Sequence, residues 1–518
     1  MKNIKSLLIV FAMVFAVSSC DDATDIIQDG ELGNSETFKS VNDLSLYLNG
    51  AVYSSLGHTN EIMISASFTD ECGVGPSNGG QELQLHRFNL DKGTGYVESM
   101  WLSYYSSINR VNRLLAAAAG ITPDASKMVL IEPGVTVSED VWYNSILAEA
   151  KAVRAFAYFQ LLTYYSTDLS DDNALGVMLF DYVPAIGEKL PRSTNGEVFT
   201  LIEADIAFAE ANIYDKTAVN GYKYVSTRML KALQARMYLY RKNYPLARAN
   251  AMDAIAGLTL TPATPYIGGN FYDPVVTNNP YRRIWADLDK GEVIFALSRP
   301  AGGSWGNIAG SFFFNNSTAT GGAFLDMGRN LYNELKEVNG DIRSLAFVDP
   351  TSLIDANYLT NPAYITTDVL VIDKYPGKPS QQLRNDLKIF RASEMYFILA
   401  ECAIFDGDLP GAAGFVKNIR DARNRLGAQP LPVYVNPTEA WADVLKERRK
   451  ELCFEGHRYV DIKRIGVAAG KSIDRNVTDD LILSLPTTLS NTDYRFTLPI
   501  PQSEIAGNPT IQQNPGYN

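Results

Sequence analysis

Two loop-like stretches of this 518-residue chain carry the side chains best suited to gripping a ligand. The longer one holds Tyr266-Ile-Gly-Gly-Asn-Phe-Tyr272, Asn278-Asn-Pro-Tyr281, Gly302-Gly-Ser-Trp-Gly-Asn307 and Phe312-Phe-Phe-Asn-Asn316. Aromatic planes cover the apolar C–H face of a ring, while amides and charged groups satisfy hydroxyls around its rim, so this mixture suits a polyhydroxylated ligand. Tyr272, Tyr281, Trp305 and Phe312 are the candidate planes, with Asn270, Asn307, Asn315 and Arg299 as rim groups. The earlier stretch, Thr69-Asp-Glu-Cys-Gly-Val-Gly-Pro-Ser-Asn-Gly-Gly80 with the residues up to Arg87, adds Asp70, Glu71, Asn78, Gln81 and Arg87 as polar contacts. Trp305 stands out because glycines and a serine flank it, where a core role is less natural. For Tyr272, Tyr281 and Phe312, packing beneath a long loop is the more ordinary role.

A second constellation, Glu447-Arg-Arg-Lys-Glu-Leu-Cys-Phe-Glu-Gly-His-Arg-Tyr-Val-Asp461, sets His457 near Glu455 and Asp461 and so invites a catalytic reading. Helical residues two apart do not share a face, and the four-residue step from His457 to Asp461 reads as a structural pair. The other histidines, His58 and His86, lie far away, and no HExxH, GxSxG, Walker or GxGxxG pattern occurs. Cys72, Cys402 and Cys453 are too few and too widely spaced for a disulfide framework or a CxxC zinc site, and Cys402 and Cys453 read as small buried hydrophobes. No catalytic residue, cofactor or metal site is expected.

The amino terminus carries a different message. Lys2 and Lys5, an apolar run from Leu7 to Val17 and then Ser18-Ser19-Cys20 match a lipoprotein signal, too short to span a bilayer as a helix. Cleavage before Cys20 leaves a thiol that can take a diacylglyceryl group, and several acyl chains anchor stably where one is marginal. An ordinary secreted protein with a chance cysteine is the competing reading. Removing Lys2 and Lys5 takes the formal charge from -12 to -14, which makes nucleic acid a poor partner. Hydrophobic residues at 46% and charged ones at 20% exclude general disorder.

The elements that must position these residues are mostly helices. Apolar residues recur at helical spacing after Ser40, over about 98–119, 141–165, 198–211, 227–241 and 246–257, and Glu292 to Ser298 reads as a strand. The Trp101, Trp142, Trp285 and Trp441 indoles belong to such patterns and are expected in the core. An internal echo sets the architecture. Residues Ala235 to Ala247 align without gaps on Ala400 to Ala412, each a helix, a polar turn and an alanine-rich second helix, the logic of a tetratricopeptide-type pair. A mainly α fold is expected, with stacked helix hairpins, a large irregular ligand-binding portion and a few short strands. The expected organisation is a signal over 1–19, a flexible tether over 20–36 and one body over 37–518. That body divides into a helical half at 37–257, a loop-rich insert at 258–385 and a helical part at 386–518.

The chain resembles the SusD/RagB-like surface lipoproteins, named for a starch-utilisation system. The resemblance rests on Trp101-x-x-x-Tyr105-x-x-Ile108-x-x-Val111-Asn112, Glu149-Ala-Lys-Ala-Val-Arg-Ala-Phe-Ala-Tyr158, Arg391-Ala-Ser-Glu-Met-Tyr396, the Glu447 to Asp461 run and the closing Gln513-Asn-Pro-Gly-Tyr517. It implies an outer-membrane, cell-surface protein that captures an oligomeric nutrient, usually a glycan, without cleaving it. The nutrient then passes to a SusC-like TonB-dependent transporter, with helices facing the transporter and loops holding the ligand. RagB-like members imply peptide as the alternative ligand, and a surface glycosidase or a pure interaction scaffold remain as further readings. Replacing Trp305 by Ala is expected to weaken saccharide binding in calorimetry while leaving the melting temperature nearly unchanged; equal affinity in the variant would remove Trp305 from the site.

Overall fold

The computed structural model describes residues 37–185, 187–300, 308–312, 322–379, 381 and 383–517. Among the described residues its frame is eleven helices and three small antiparallel strand pairs, with the separate helix Arg329–Lys336 and short helical turns between them. Helix α1 (Val41–Tyr47) begins at Ser40, whose hydroxyl accepts from the Asp43 amide while Asp43 returns the bond to the Ser40 amide, a capping box. Helix α2 (Thr59–Phe68) and strand β1 (Cys72–Val74) come after it. Next are α3 (Gly95–Ala118), the hairpin β2 (Met128–Glu132) and β3 (Val135–Ser138), α4 (Glu139–Tyr165) and α5 (Asn195–Asn212). The second half of the frame comprises α6 (Thr227–Tyr240), α7 (Tyr244–Ile255), β4 (Val293–Leu297), β5 (Leu325–Met327) and β6 (Leu387–Arg391). It ends with α8 (Ala392–Phe405), α9 (Leu409–Arg423), α10 (Pro437–Leu452) and α11 (Arg458–Ala469).

The internal echo is a structural repeat down to its dihedral angles. Lys242 and Gly407, equivalent in the alignment, both take left-handed backbone (φ 60° and 80°). The next residues, Asn243 and Asp408, cap α7 and α9 with φ and ψ that agree within a few degrees, each with a proline in the first turn of its helix. Fully buried alanines, among them Ala235, Ala247, Ala251, Ala400 and Ala412, line the crossings of the two hairpins. Small side chains there let helix axes approach closely, so α7 packs on α8 and the hairpins stack side by side. Helix α4 packs on both α3 and α5, and α11 returns to α2, which itself meets α3. The result is the tetratricopeptide-like scaffold that the repeat implied. Trp101 and Trp285 are buried and Trp142 and Trp441 half-buried at the edge of the core, as their periodicity predicted. Among the described residues no helix is long and apolar enough to cross a membrane.

The Glu447 to Asp461 run is the clasp of this frame. Helix α10 is buried on most sides, and its charged residues reach different elements. Glu451 accepts hydrogen bonds from Arg391 at the end of β6 (2.9 Å), from Arg423 at the end of α9 (2.9 Å) and from Arg343 in the loop-rich segment (3.3 Å). Arg391 and Arg423 also share Glu292, just before β4, at 2.8 Å each, and Arg391 donates on to Glu455. Arg448 pairs with Asp461 at 2.7 Å, while Arg449 donates to the Asp70 carbonyl at 2.6 Å. Burial alone would push the Glu451 carboxyl up, but Arg423, Arg391 and Arg343 hold it well below the usual carboxylate range. The catalytic reading of this run fails on burial, and the His457–Asp461 pair needs correction. Asp461 is taken by Arg448 and Arg464, and His457 offers it only a backbone carbonyl as the residue capping α11.

Buried ion networks cost heavily when one partner is lost, because the remaining charges stay desolvated. Glu451→Gln leaves three guanidinium groups short of a counter-charge and is expected to destabilise the protein by about 3–5 kcal/mol. A lower denaturant midpoint with unchanged slope is the expected reading, and an unshifted midpoint would show that the network contributes nothing net.

Candidate functional site

A cavity of about 920 Å³ opens between the segment 80–99 and the short turn at Tyr494–Arg495. The first wall is shaped by two non-glycine residues in left-handed backbone, Glu82 (φ 59°) and Phe88 (φ 62°). Such conformations persist only where surroundings over-determine them, and they concentrate at ligand sites. Here Leu85 and Phe88 anchor the wall. Both are buried, and Phe88 meets Phe68 edge-on at 5.6 Å with the Arg475 guanidinium 4.2 Å from its ring centre. Between these anchors the exposed side is polar: Gln84 and Asn89 join through a 2.6 Å hydrogen bond, and Asp91 accepts from the Gly93 amide at 2.8 Å.

Upstream, the loop is tied back by paired backbones. Strand β1 pairs with β5 in the register Cys72–Met327 and Val74–Leu325, and the Gly75 and Ser77 amides continue it onto Phe324 and Ala323 at 3.0 Å. Only glycine fits at 75, since a Cβ there would lie 2.4 Å from the Ala323 carbonyl oxygen.

Tyr96 and Tyr494 supply the aromatic surface. The Tyr96 hydroxyl donates to Glu82 at 2.7 Å, and burial raises that carboxyl above its ordinary value. Tyr494 is 48% exposed, so part of its ring reaches solvent, with the Arg495 guanidinium 5.6 Å from the ring centre. The C-terminal motif holds its other side: Tyr517 meets it edge-on at 4.9 Å, and a Cβ on Gly516 (φ 88°) would lie 2.3 Å from the ring. Gln513 and Asn514 fasten that motif in turn, Gln513 by exchanging bonds with the Ile500 backbone and Asn514 by donating to the carbonyls of Tyr165 and Leu498. Arg495 locks the two walls together, paired twice with Asp493 at 2.8 Å and donating to the Phe88 carbonyl at 2.9 Å. The groove thus offers ring faces with carboxylate, amide and hydroxyl groups beside them, a lining able to hold a polyhydroxylated molecule.

Of the residues singled out from sequence, several belong to the interior. Tyr281 is fully buried, donating to Glu451 at 3.2 Å under the Arg423 guanidinium, and Phe312 is buried against Phe454 at 5.5 Å. Neither can show a face to a ligand here, because each is enclosed by the core that the ion network closes. Asp70 is equally enclosed, gripped by Arg458 through two 2.8 Å bonds. Burial opposes its charge, yet Arg449 and Arg458 hold its carboxyl well below the ordinary range, while Glu71 beside it is pushed up to about 8 by burial and by Asp70 itself. Tyr272 is half-buried, edge-on to Phe271 at 5.0 Å, and Arg299 spends a guanidinium bond on the Leu56 carbonyl at 2.8 Å; neither lines the groove. Arg87 pairs with Asp480 at 2.8 and 3.1 Å immediately behind the lining residues Leu85 and Phe88. Trp305, Asn307 and Cys20 lie outside the described residues. Of the early loop Thr69–Gly80 only Gly80 lines the groove, and none of the polar residues singled out from that stretch, Asp70, Glu71, Asn78, Gln81 and Arg87, is among its lining residues. Tyr96 gives no sequence signal because it precedes the helical pattern that starts at Glu98, and Tyr494 gives none because it lies nearly four hundred residues from its opposite wall.

Residues 311–517 match the model of the SusD family. Over its whole length the chain is 24% identical to the whole of SusD-like protein P38 of Formosa agariphila. A SusD superfamily protein from Bacteroides thetaiotaomicron superposes with a TM-score of 0.71 at 24% identity, covering 92% of this chain and 100% of that one. A laminarin-binding SusD-like protein superposes at 0.65 with 22% identity, covering 93% and 100%. These likenesses carry the resemblance first seen in the motifs and give the chain the SusD fold.

Gly516→Ala tests how the groove is positioned, because its methyl would displace the Tyr494 ring from a distance. It is expected to lower affinity for a groove ligand about as much as Tyr494→Ala does, with a loss of stability of about 1–2 kcal/mol from the left-handed backbone. Unchanged affinity in calorimetry would remove the C-terminal motif from any role at the site.

Proposed function

We propose that this chain, SusD-like in sequence and in fold, is a noncatalytic glycan-binding lipoprotein of the outer bacterial surface. In this reading Cys20 carries the lipid, the residues up to 36 act as a tether, and the body binds oligo- or polysaccharide and delivers it to a SusC-like TonB-dependent transporter. The observation that carries the reading is the groove between residues 80–99 and Tyr494–Arg495, where a partly exposed tyrosine ring sits among amide and carboxylate groups. Sugar rings need that combination: an apolar plane for one face, and acceptors and donors whose absence would leave hydroxyls unpaired. The laminarin-binding relative supports saccharide as the ligand class. Of the two carboxylates in the groove, Glu82 is engaged by the Tyr96 hydroxyl and Asp91 by the Gly93 amide.

Titration calorimetry of the protein lacking residues 1–19, against panels of polysaccharides and peptides, tests this directly. At least one saccharide is expected to bind, and Tyr494→Ala is expected to weaken it about tenfold through loss of ring contact. Heat with peptides alone would replace the reading by peptide capture, and release of shortened sugars would replace it by a surface glycosidase. Co-purification of a large barrel protein from outer membranes is the expected sign of the transporter.

A further inference from the structure

We infer that the groove is built for an uncharged glycan and turns away polymers bearing uronate or sulfate groups, an inference that rests on the glycan-binding reading above. The charged residues on its wall are Glu82, Asp91 and Arg495. The single cation among them is already spent. Arg495 meets both carboxylate oxygens of Asp493 at 2.8 Å and donates its remaining arm to the Phe88 carbonyl at 2.9 Å. Behind the wall, Arg87 is likewise paired with both oxygens of Asp480, and Arg475, 4.2 Å from the Phe88 ring centre, donates to the carbonyls of Thr69, Ser67 and Phe68. Lys92 lies between two wall residues without itself lining the cavity.

The two carboxylates point the other way. The Glu82 carboxylate accepts one hydroxyl from Tyr96 and keeps acceptor capacity to spare, and Asp91 is exposed with the Gly93 amide and the Thr94 hydroxyl on one oxygen. Such groups reward a ligand that brings hydroxyl donors, through charge-assisted hydrogen bonds. They penalise one that brings carboxylates or sulfates, which would meet like charge after giving up hydration. The stretches 301–307 and 313–321, Ala-Gly-Gly-Ser-Trp-Gly-Asn and Phe-Phe-Asn-Asn-Ser-Thr-Ala-Thr-Gly, contain no ionisable side chain, so neither can add a counter-charge. The chain as a whole is acidic, at -12, which repels a polyanion before contact.

The test titrates the protein without residues 1–19 with neutral polymers (laminarin, starch, xylan, galactomannan) and anionic ones (alginate, polygalacturonate, carrageenan), at low and at physiological salt, alongside Tyr494→Ala. The expected result is binding within the neutral panel, weakened by Tyr494→Ala and changing less than about twofold with salt, since no ion pair is being screened. No anionic polymer is expected to bind. An anionic polymer whose binding Tyr494→Ala weakens would overturn the charge inference while leaving the glycan reading in place. An anionic polymer bound regardless of that substitution, with the neutral panel silent, would overturn it too. Silence across both panels would overturn both inferences together.

Discussion

The desolvated charges around Glu451 are the constraint on which the rest of the molecule depends. Arg391, Arg423 and Arg343 converge on one carboxylate, Glu292 and Glu455 complete the balance, and all are essentially inaccessible to water. Each group comes from a different piece of chain: a strand end, a helix end, the loop-rich segment and helix α10. No member can leave alone without stranding its partners in a low-dielectric interior, so the pieces are held in one arrangement. Such networks are weak as a source of net stability, and their value here is specificity of assembly. They join long loops, which lack periodic packing of their own, to a helical frame that has plenty.

That division of labour explains where the groove lies. The start of helix α3 forms part of the groove, and its other walls are short segments pinned at a few points: Phe88 in the core, Arg87 on Asp480, Arg495 on Asp493 and Phe88, Gly75 beneath Ala323. The left-handed backbones at Glu82 and Phe88 belong to the same logic. A loop free to relax would abandon them, and a loop pinned on both sides can keep them. The closing Gln-Asn-Pro-Gly-Tyr motif serves the groove at one remove, by fastening to Ile500, Tyr165 and Leu498 and thereby fixing the plane of Tyr494.

Much of the frame was legible from residues alone because helices report themselves locally. The 3.6-residue stripe, Ser40 ahead of the first helix and the polar turn inside each repeated hairpin are signals carried within a few positions, and the structure places helix ends within about three residues of them. The repeat between 235–247 and 400–412 extended that legibility to tertiary level, since two copies of one hairpin that present the same small residues will stack. The structural role of the Glu447 to Asp461 run was legible too, but its burial and its partners were not: spacing points Asp461 at His457, whereas Arg448 and Arg464 hold it.

The amino-acid order by itself therefore determined the helical content, the hairpin repeat, the family likeness and the kind of chemistry the loops bring, because each is written in neighbouring residues. Tertiary structure alone decided which aromatic and polar residues of those loops face solvent. Tyr281 and Phe312 have loop-like neighbours in sequence yet lie in the core, whereas Tyr494, in a turn without any local signal, stands open opposite Tyr96. Exposure is set by what packs on a residue from far along the chain, and a guanidinium or a ring arriving from hundreds of positions away leaves no trace in local composition.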